Sequence, residues 1–166
     1  VLPANAVWRS MSVKQPTPSL FEGCDSVIHL AGLAHAKRSV SDEKVFDSAN
    51  RRLAVDSALA AHNAGVKRFV FVSTMAVHGN WSIDPVRANS ELRLDTPYAR
   101  SKWEAEQELA ELCSGLQMEL CVVRPAMVYG YKSPGNFARL LKLVDFGVPL
   151  PFGSMTSQRS FTSVEN

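Results

Sequence analysis

The sequence predicts an α/β fold, a parallel β-sheet with helices on both faces. Three observations lead there. Three short apolar runs, bounded by Gly or polar residues, have the length and continuity of fully buried strands. Two longer stretches between them repeat apolar residues at a helical period. The two kinds of segment alternate, and strands that alternate with helices join through right-handed crossovers into a parallel sheet.

Residues 1–22 are an irregular N-terminal segment, Pro- and Ser-rich, with Pro16 and Pro18 close together. Val27-Ile-His-Leu-Ala31, between Gly23 and Gly32, is the first strand. From Asp42 to Ala64, Val45, Phe46, Ala49, Leu53, Val55, Leu59 and Ala60 follow a helical period, and Asn63 and Gly65 supply the stop. Lys67-Arg-Phe-Val-Phe-Val72 is the second strand. Ser73 to Pro97 carries Gly79, Pro85 and Pro97 and is mostly loop. Tyr98 to Ser114, rich in Ala, Glu, Gln and Leu, is a helix begun after Pro97 and ended by Gly115. Met118-Glu-Leu-Cys-Val-Val123 is the third strand and runs into Arg124-Pro125, and a last helix spans Asn136 to Phe146, closed by Gly147. Ligands of such sheets collect outside the carboxyl ends of the strands, here Ala31-Gly32, Ser73-Thr74 and Arg124-Pro125.

Composition narrows the function. The 166 residues are 46% hydrophobic, the size and apolar content of one ordinary domain with a real core. Lys and Arg number 18 against 16 Asp and Glu, and no basic block exceeds two, so neither nucleic acid nor an anionic membrane is an expected partner. Cys24, Cys113 and Cys121 form no paired spacing, which argues against a disulfide framework and a zinc site and for a reducing cytoplasm. No apolar stretch is long enough to span a membrane, and Val1 to Leu20 lacks the apolar core of a signal peptide.

The sharpest chemical signal is Tyr98-Ala-Arg-Ser-Lys102, preceded by Ser73-Thr74 at a strand end. Residues i and i+4 share a helix face, so Lys102 can hold its ammonium beneath the Tyr98 phenol. A phenol titrates near ~10. A cation at ~4 Å, at an effective dielectric near ~20, is worth roughly 4 kcal/mol, about three pKa units. In bulk water the same pair is worth only about 1 kcal/mol, so the site must be shielded. Thr74, ahead of Ser73, supplies a hydroxyl to align an alcohol with Tyr98. Together these groups suit removal of an alcohol proton coupled to hydride transfer onto nicotinamide. Alone, Tyr-x-x-x-Lys more often marks an exposed tyrosine beside a surface lysine.

Its company is specific. Asp25-Ser-Val-Ile-His-Leu-Ala-Gly32, Phe69-Val-Phe-Val-Ser-Thr-Met-Ala-Val-His-Gly79, Tyr98-Ala-Arg-Ser-Lys102 and Val123-Arg-Pro-Ala-Met-Val-Tyr-Gly130 occur in order. From about Gly23 onward the chain resembles the extended short-chain dehydrogenase/reductase family, in its NAD-dependent nucleotide-sugar epimerase/dehydratase branch. The resemblance implies a Rossmann-like sheet and a catalytic Thr74, Tyr98 and Lys102. It places Leu30, Ala31, Gly32, Asn50, Ser73, Tyr98, Lys102, Val123 and Pro125 around NAD or NADP. It places Thr74, Asn136 (after Gly135) and Arg159 at a nucleotide-diphosphate sugar. It also implies a homodimer through helices 42–64 and 98–114.

Departures from the family pattern shape the expectation. No Gly-x-x-Gly-x-x-Gly or Gly-x-Gly-x-x-Gly occurs among the nine glycines, so the phosphate-binding turn and the first strand-helix-strand unit are expected to be missing, with most of a C-terminal substrate domain. Residues 23–130 are then a partial NAD(P)-binding domain and 131–166 the start of the substrate-binding region, a truncated chain inactive by itself. Ser160 stands where many relatives carry Asp after the arginine. Met75-Ala76 replaces the acid pair that dehydratases of this branch place after Thr74, which favours a C4 epimerase, with a 4-keto nucleotide-sugar reductase or a non-catalytic dinucleotide-binding member as alternatives.

The remaining polar residues have plainer expectations. His29 is a satisfied core residue, while His35, His62 and His78 are scattered. Lys37, Arg38, Arg51 and Arg52 are solvated surface, and Glu104, Glu106, Glu108 and Glu111 form a solvated helix face. Trp8, Trp81 and Trp103 have no regular spacing.

Overall fold

A computed structural model describes residues 5–7, 15–34, 43–130, 136–150, 152–154, 156 and 158–165. The chain divides into two compact units, one within residues 2–124 and the other formed essentially by 125–166.

In the larger unit, β1 (Ser26–His29), β2 (Arg68–Val72) and β3 (Glu119–Val123) form a parallel sheet in the order β1-β2-β3. All three expected strands are present: β1 begins one residue earlier and ends two earlier than expected, and β2 and β3 each begin one residue later. Side chains alternate, so Val27, His29, Phe69, Phe71, Leu120 and Val122 point one way and Ile28, Val70, Cys121 and Val123 the other. The first face is covered. Phe69 and Phe71, fully buried, pack with Ala54, Ala58 and Ala61 of one helix and Ala105, Leu109 and Cys113 of another. Small alanines let these helices approach the sheet closely, and burying the two rings contributes roughly 1.5–3 kcal/mol each. Both of these helices lie on this face, and Ile28 on the other is 58% exposed.

The expected 42–64 helix is observed from Glu43 to Asn63 in three parts: α1 (Glu43–Phe46), a π-helical stretch Asp47–Arg52, and α2 (Leu53–Asn63). The wide π turn is a break that apolar periodicity does not reveal. Gly65, at φ 88°, closes α2 as its spacing predicts, with its N–H on His62 O and the Val66 N–H on Ala61 O. α3 (Pro97–Gly115) begins where Thr96 accepts the Ala99 N–H through its side chain at 3.1 Å, and Pro97 fills the first turn. Its left-handed terminal residue is Gln117 (φ 53°), not the expected Gly115. The Met118 N–H returns to Cys113 O, which reverses the chain into β3.

The smaller unit holds β4 (Met127–Tyr129) and β5 (Phe161–Ser163), a parallel pair, and α4 (Asn136–Asp145). Tyr129, Phe137 and Phe161 cluster, with ring centroids 5.2–6.3 Å apart. Three-residue strands carry too little pattern to be predicted, and neither was. Among the described residues no helix is long and apolar enough to cross a membrane.

Candidate active site

Thr74, Tyr98 and Lys102 converge where β2 ends against α3. Thr74 leaves β2 in an extended conformation and starts a tight 3-10 turn, Met75–His78, by accepting the Ala76 N–H on Oγ1 at 3.2 Å. With that oxygen engaged as acceptor, its hydroxyl proton is free to donate toward the Tyr98 phenol. Tyr98 sits half-buried in the first turn of α3, its ring 6.2 Å from that of Phe46. Burial pushes the phenol above its ordinary value, and the Thr74 hydrogen bond pulls it down.

Lys102 is one turn along the same face and only 5% exposed. Its ammonium donates to the Val72 carbonyl at 2.9 Å and stands 4.6 Å from the centre of the Phe71 ring. Burial pushes Lys102 down to about 8, against an upward pull from Glu106.

Asn50, fully buried in the π turn, uses its whole amide. Oδ1 accepts Leu33 N at 2.7 Å, and Nδ2 donates to Leu33 O at 3.1 Å and to Ser101 Oγ at 3.0 Å. It fastens the chain leaving β1 onto α3. A Cβ on Gly32 would stand 2.7 Å from Asn50 Oδ1, so the missing side chain makes room for this amide. Leu30 and Val123, at the ends of β1 and β3, are 56% and 42% exposed, and Ala31 is partly covered. Ser73 is buried, its N–H on Val123 O at 2.8 Å and its hydroxyl on the Glu106 carboxylate.

Glu106 is the residue that sequence reasoning missed. Expected on a solvated face, it is 4% exposed and gripped by Arg124, with Nε 3.0 Å from Oε1 and Nη2 2.5 Å from Oε2. The signal was available in the spacing. Tyr98, Lys102 and Glu106 follow at i, i+4 and i+8, whereas Glu104, Glu108 and Glu111 fall on the other side of the helix. His78 is likewise buried, with Nε2 3.0 Å from Arg124 Nη1 and Nδ1 3.1 Å from Glu91 O. His29 is in the core, but its buried Nε2 has no partner. Burial, with the Lys102 charge adding to it, pushes His29 down to about 4. Arg51 is not simply solvated, since it pairs with Asp47 and with Glu108.

Other expected site residues stand apart or outside the description. Pro125 and Arg159 belong to the smaller unit, where Arg159 is exposed. Gly135 and the Asn136 side chain, with His35, Lys37, Arg38 and Trp8, lie outside the described residues. Among the described residues no group of three His, Cys, Asp or Glu could hold a metal, and Cys24, Cys113 and Cys121 are free thiols.

Comparison with known proteins identifies the family. The model of the NAD dependent epimerase/dehydratase family matches residues 10–166. A UDP-glucose 4-epimerase of Vibrio cholerae is 37% identical over 145 residues, covering 84% of this chain and 44% of that protein. An N-acetyl-alpha-D-glucosaminyl-diphospho-ditrans,octacis-undecaprenol 4-epimerase of Escherichia coli O157:H7 is 28% identical over 155 residues, covering 92% of this chain and 46% of that protein. The solved structure of MoeE5 in complex with UDP-glucose and NAD superposes with a TM-score of 0.74 at 27% identity, covering 89% of this chain and 51% of that one. The chain spans about half the length of the curated relatives it matches.

Proposed function

Because this chain belongs to the NAD dependent epimerase/dehydratase family, we propose that it carries the catalytic residues of a nucleotide-sugar 4-epimerase. The observation that carries the reading is the Thr74 hydroxyl on the Tyr98 phenol, with a buried lysine one turn along the same helix face. Met75 and Ala76, apolar where a dehydratase would need acids, support epimerisation over elimination of water.

The strand ends fit a dinucleotide. Leu30 and Val123 offer open apolar surface and Lys102 a cation beside it, so these residues, with Ala31, Gly32 and Pro125, would hold NAD. Asn50 and Ser73 act behind that surface, since their polar atoms are committed within the protein. Bound NAD supplies the redox chemistry, accepting a hydride from the sugar carbon and returning it.

This chain's residues handle the proton. Tyr98 Oη takes it from the 4-hydroxyl of a nucleotide-diphosphate sugar, such as the UDP-glucose named for the Vibrio cholerae relative, and returns it after the keto sugar has turned. Thr74 aligns the sugar hydroxyl and donates to the phenolate that acts as the base. Burial alone opposes that phenolate, so Lys102 must move its ammonium from the Val72 carbonyl toward the phenol. At ~4 Å and an effective dielectric near ~20 the attraction is roughly 4 kcal/mol. Asn136 and Arg159, in the unit that begins the substrate-binding region, would meet the nucleotide, the guanidinium gripping its diphosphate. A homodimer through the 43–63 and 97–115 helices and a cytoplasmic location complete the proposal.

The test uses the full-length protein with catalytic NAD and UDP-glucose or UDP-N-acetylglucosamine. The expected result is the C4 epimer with no net change in cofactor, and a loss of about 10²–10⁴ in turnover for Tyr98→Phe. No epimer from these sugars, but stoichiometric consumption of added NADH with a 4-keto nucleotide sugar, would identify a 4-keto-sugar reductase. Unchanged turnover in Tyr98→Phe would overturn the assignment of the base.

A further inference from the structure

One face of α3 grips the end of β2 through three polar side chains, each a turn from the next. Tyr98 meets the Thr74 hydroxyl, Lys102 holds the Val72 carbonyl at 2.9 Å, and Glu106 accepts from the Ser73 hydroxyl. The first two belong to the reaction proposed above. Glu106 touches neither substrate nor reacting atoms, yet it is as deeply buried as Lys102.

A buried carboxylate is costly unless every lone pair is used. Here donors surround it. Besides Ser73, Arg124 brings Nε to 3.0 Å from Oε1 and 3.2 Å from Oε2, and Nη2 to 2.5 Å from Oε2. Arg124 is itself fixed, its Nη1 3.0 Å from both His78 Nε2 and Ala88 O, its guanidinium 5.5 Å from the Trp103 ring centre. Guanidinium can only donate, so His78 Nε2 accepts and its Nδ1 carries the proton toward Glu91 O. Glu106 thus stands on a rigid support drawn from the β3 end, the turn after Thr74 and the 88–91 loop. It is bonded directly to the residue before Thr74.

We propose that Glu106 is a positioning residue of the reaction: through Ser73 it sets where the Thr74 hydroxyl stands, and its carboxylate is the counter-charge of the buried Lys102 ammonium. The proposal rests on the roles given above to Thr74, Tyr98 and Lys102. Among the described residues, the groups acting on Lys102 include His29 from β1, the Phe71 ring and Val72 carbonyl from β2, and Glu106 from its own helix, the carboxylate that pulls it upward. The spacing has chemical sense. With its oxygens committed to Arg124 and Ser73, Glu106 supports the ammonium electrostatically without forming an ion pair that would hold it away from the phenol.

The test follows the titration of Lys102 by NMR in full-length protein carrying isotope-labelled lysine, its signal assigned with Lys102→Arg. Glu106→Gln keeps the shape and an acceptor for Ser73 but removes the charge. The expected midpoint of Lys102 falls by about one pH unit, and kcat falls more than KM changes. In Glu106→Asp the carboxylate is drawn back by one methylene, so the midpoint moves the same way by less, which decides the matter should the Gln variant not fold. Ser73→Ala removes the tether and keeps the charge, so kcat falls with the midpoint in place. An unmoved midpoint in both Glu106 variants, or stability losses in all three with kcat and KM intact, would overturn the proposal. The titration needs no turnover, so a wild-type protein that epimerises nothing would sink the proposed function while the midpoint still decides the role of Glu106.

Discussion

Replacing Asn50 with Asp isolates what the π turn contributes. The exchange is nearly isosteric and turns one amide nitrogen into an oxygen. In the native protein that nitrogen donates to Leu33 O at 3.1 Å and Ser101 Oγ at 3.0 Å. Neither acceptor can adapt easily: Leu33 O is a carbonyl, and the Ser101 hydroxyl already donates to Tyr98 O at 2.9 Å. Two buried acceptors would face a third, at a site with no exposure. Each loss costs ~1–3 kcal/mol, so the ionised variant should be about 2–6 kcal/mol less stable, a large share of a stability of ~5–15 kcal/mol. The penalty depends on pH in a known direction. Burial raises the introduced carboxyl above its unfolded value of ~3.9, so folded protein holds the proton longer than unfolded protein does. The deficit is then smallest near pH ~4 and grows toward neutrality. Urea unfolding of wild type and Asn50→Asp between those limits measures it. A deficit below ~0.5 kcal/mol at neutral pH, or one that does not shrink on acidification, would refute the claim that Asn50 fastens the β1 end through its amide.

Three further substitutions probe the neighbouring groups. His29 is held down to about 4, so below its ordinary ~6.5 the unfolded chain takes a proton that the folded chain refuses, and stability falls as pH drops through that interval. His29→Leu should flatten this slope, and parallel slopes in urea titrations of both proteins would count against it. Lys102, pushed from 10.5 to about 8, destabilises the folded state at neutral pH by an amount on the order of 3 kcal/mol that is relieved as pH rises through that window. Wild-type stability should therefore rise relative to Lys102→Met between those values, and a constant difference would contradict the burial argument. Thr96→Ala removes the cap on the Ala99 N–H and should cost about 1 kcal/mol, read as a lower urea midpoint; an unchanged midpoint would show that the cap contributes nothing.

What the sequence disclosed and withheld divides along physical lines. Val27, Phe69, Phe71 and the Ala-rich helices announce themselves because burial imposes periods of two and 3.6 residues on local sequence. Tyr98 and Lys102 were legible for the same reason, as neighbours on one helix turn, and Thr74 because strand ends in parallel sheets face the site. The π stretch left no trace, since one wide turn shifts the register without changing which residues are apolar. Arg124 meets Glu106 from 18 residues away, and that pairing depends on how β3 lies against α3. The Lys102 contact with Val72 was hidden in a side-chain rotamer. Local pattern shows which face a residue occupies; it does not show which of several partners the side chain takes.

The charges around the phenol give these contacts a common sense. Lys102 and Arg124 bring two cations to the buried end of β2, and Glu106 brings one carboxylate. The cluster is thus one negative charge short of balance, and the phenolate of Tyr98 would supply it. Were Glu106 absent, the cationic excess would be larger, but Lys102 would shed its proton more readily and the excess would be lost with it. Were Arg124 absent, Glu106 would be free to draw Lys102 into a closed ion pair, and the phenol would face no net charge at all. Burial raises the phenol and the Thr74 hydroxyl lowers it, so any further lowering must come from a cation that remains charged and is not locked in an ion pair. Glu106 secures the first condition and Arg124, by occupying Glu106, the second.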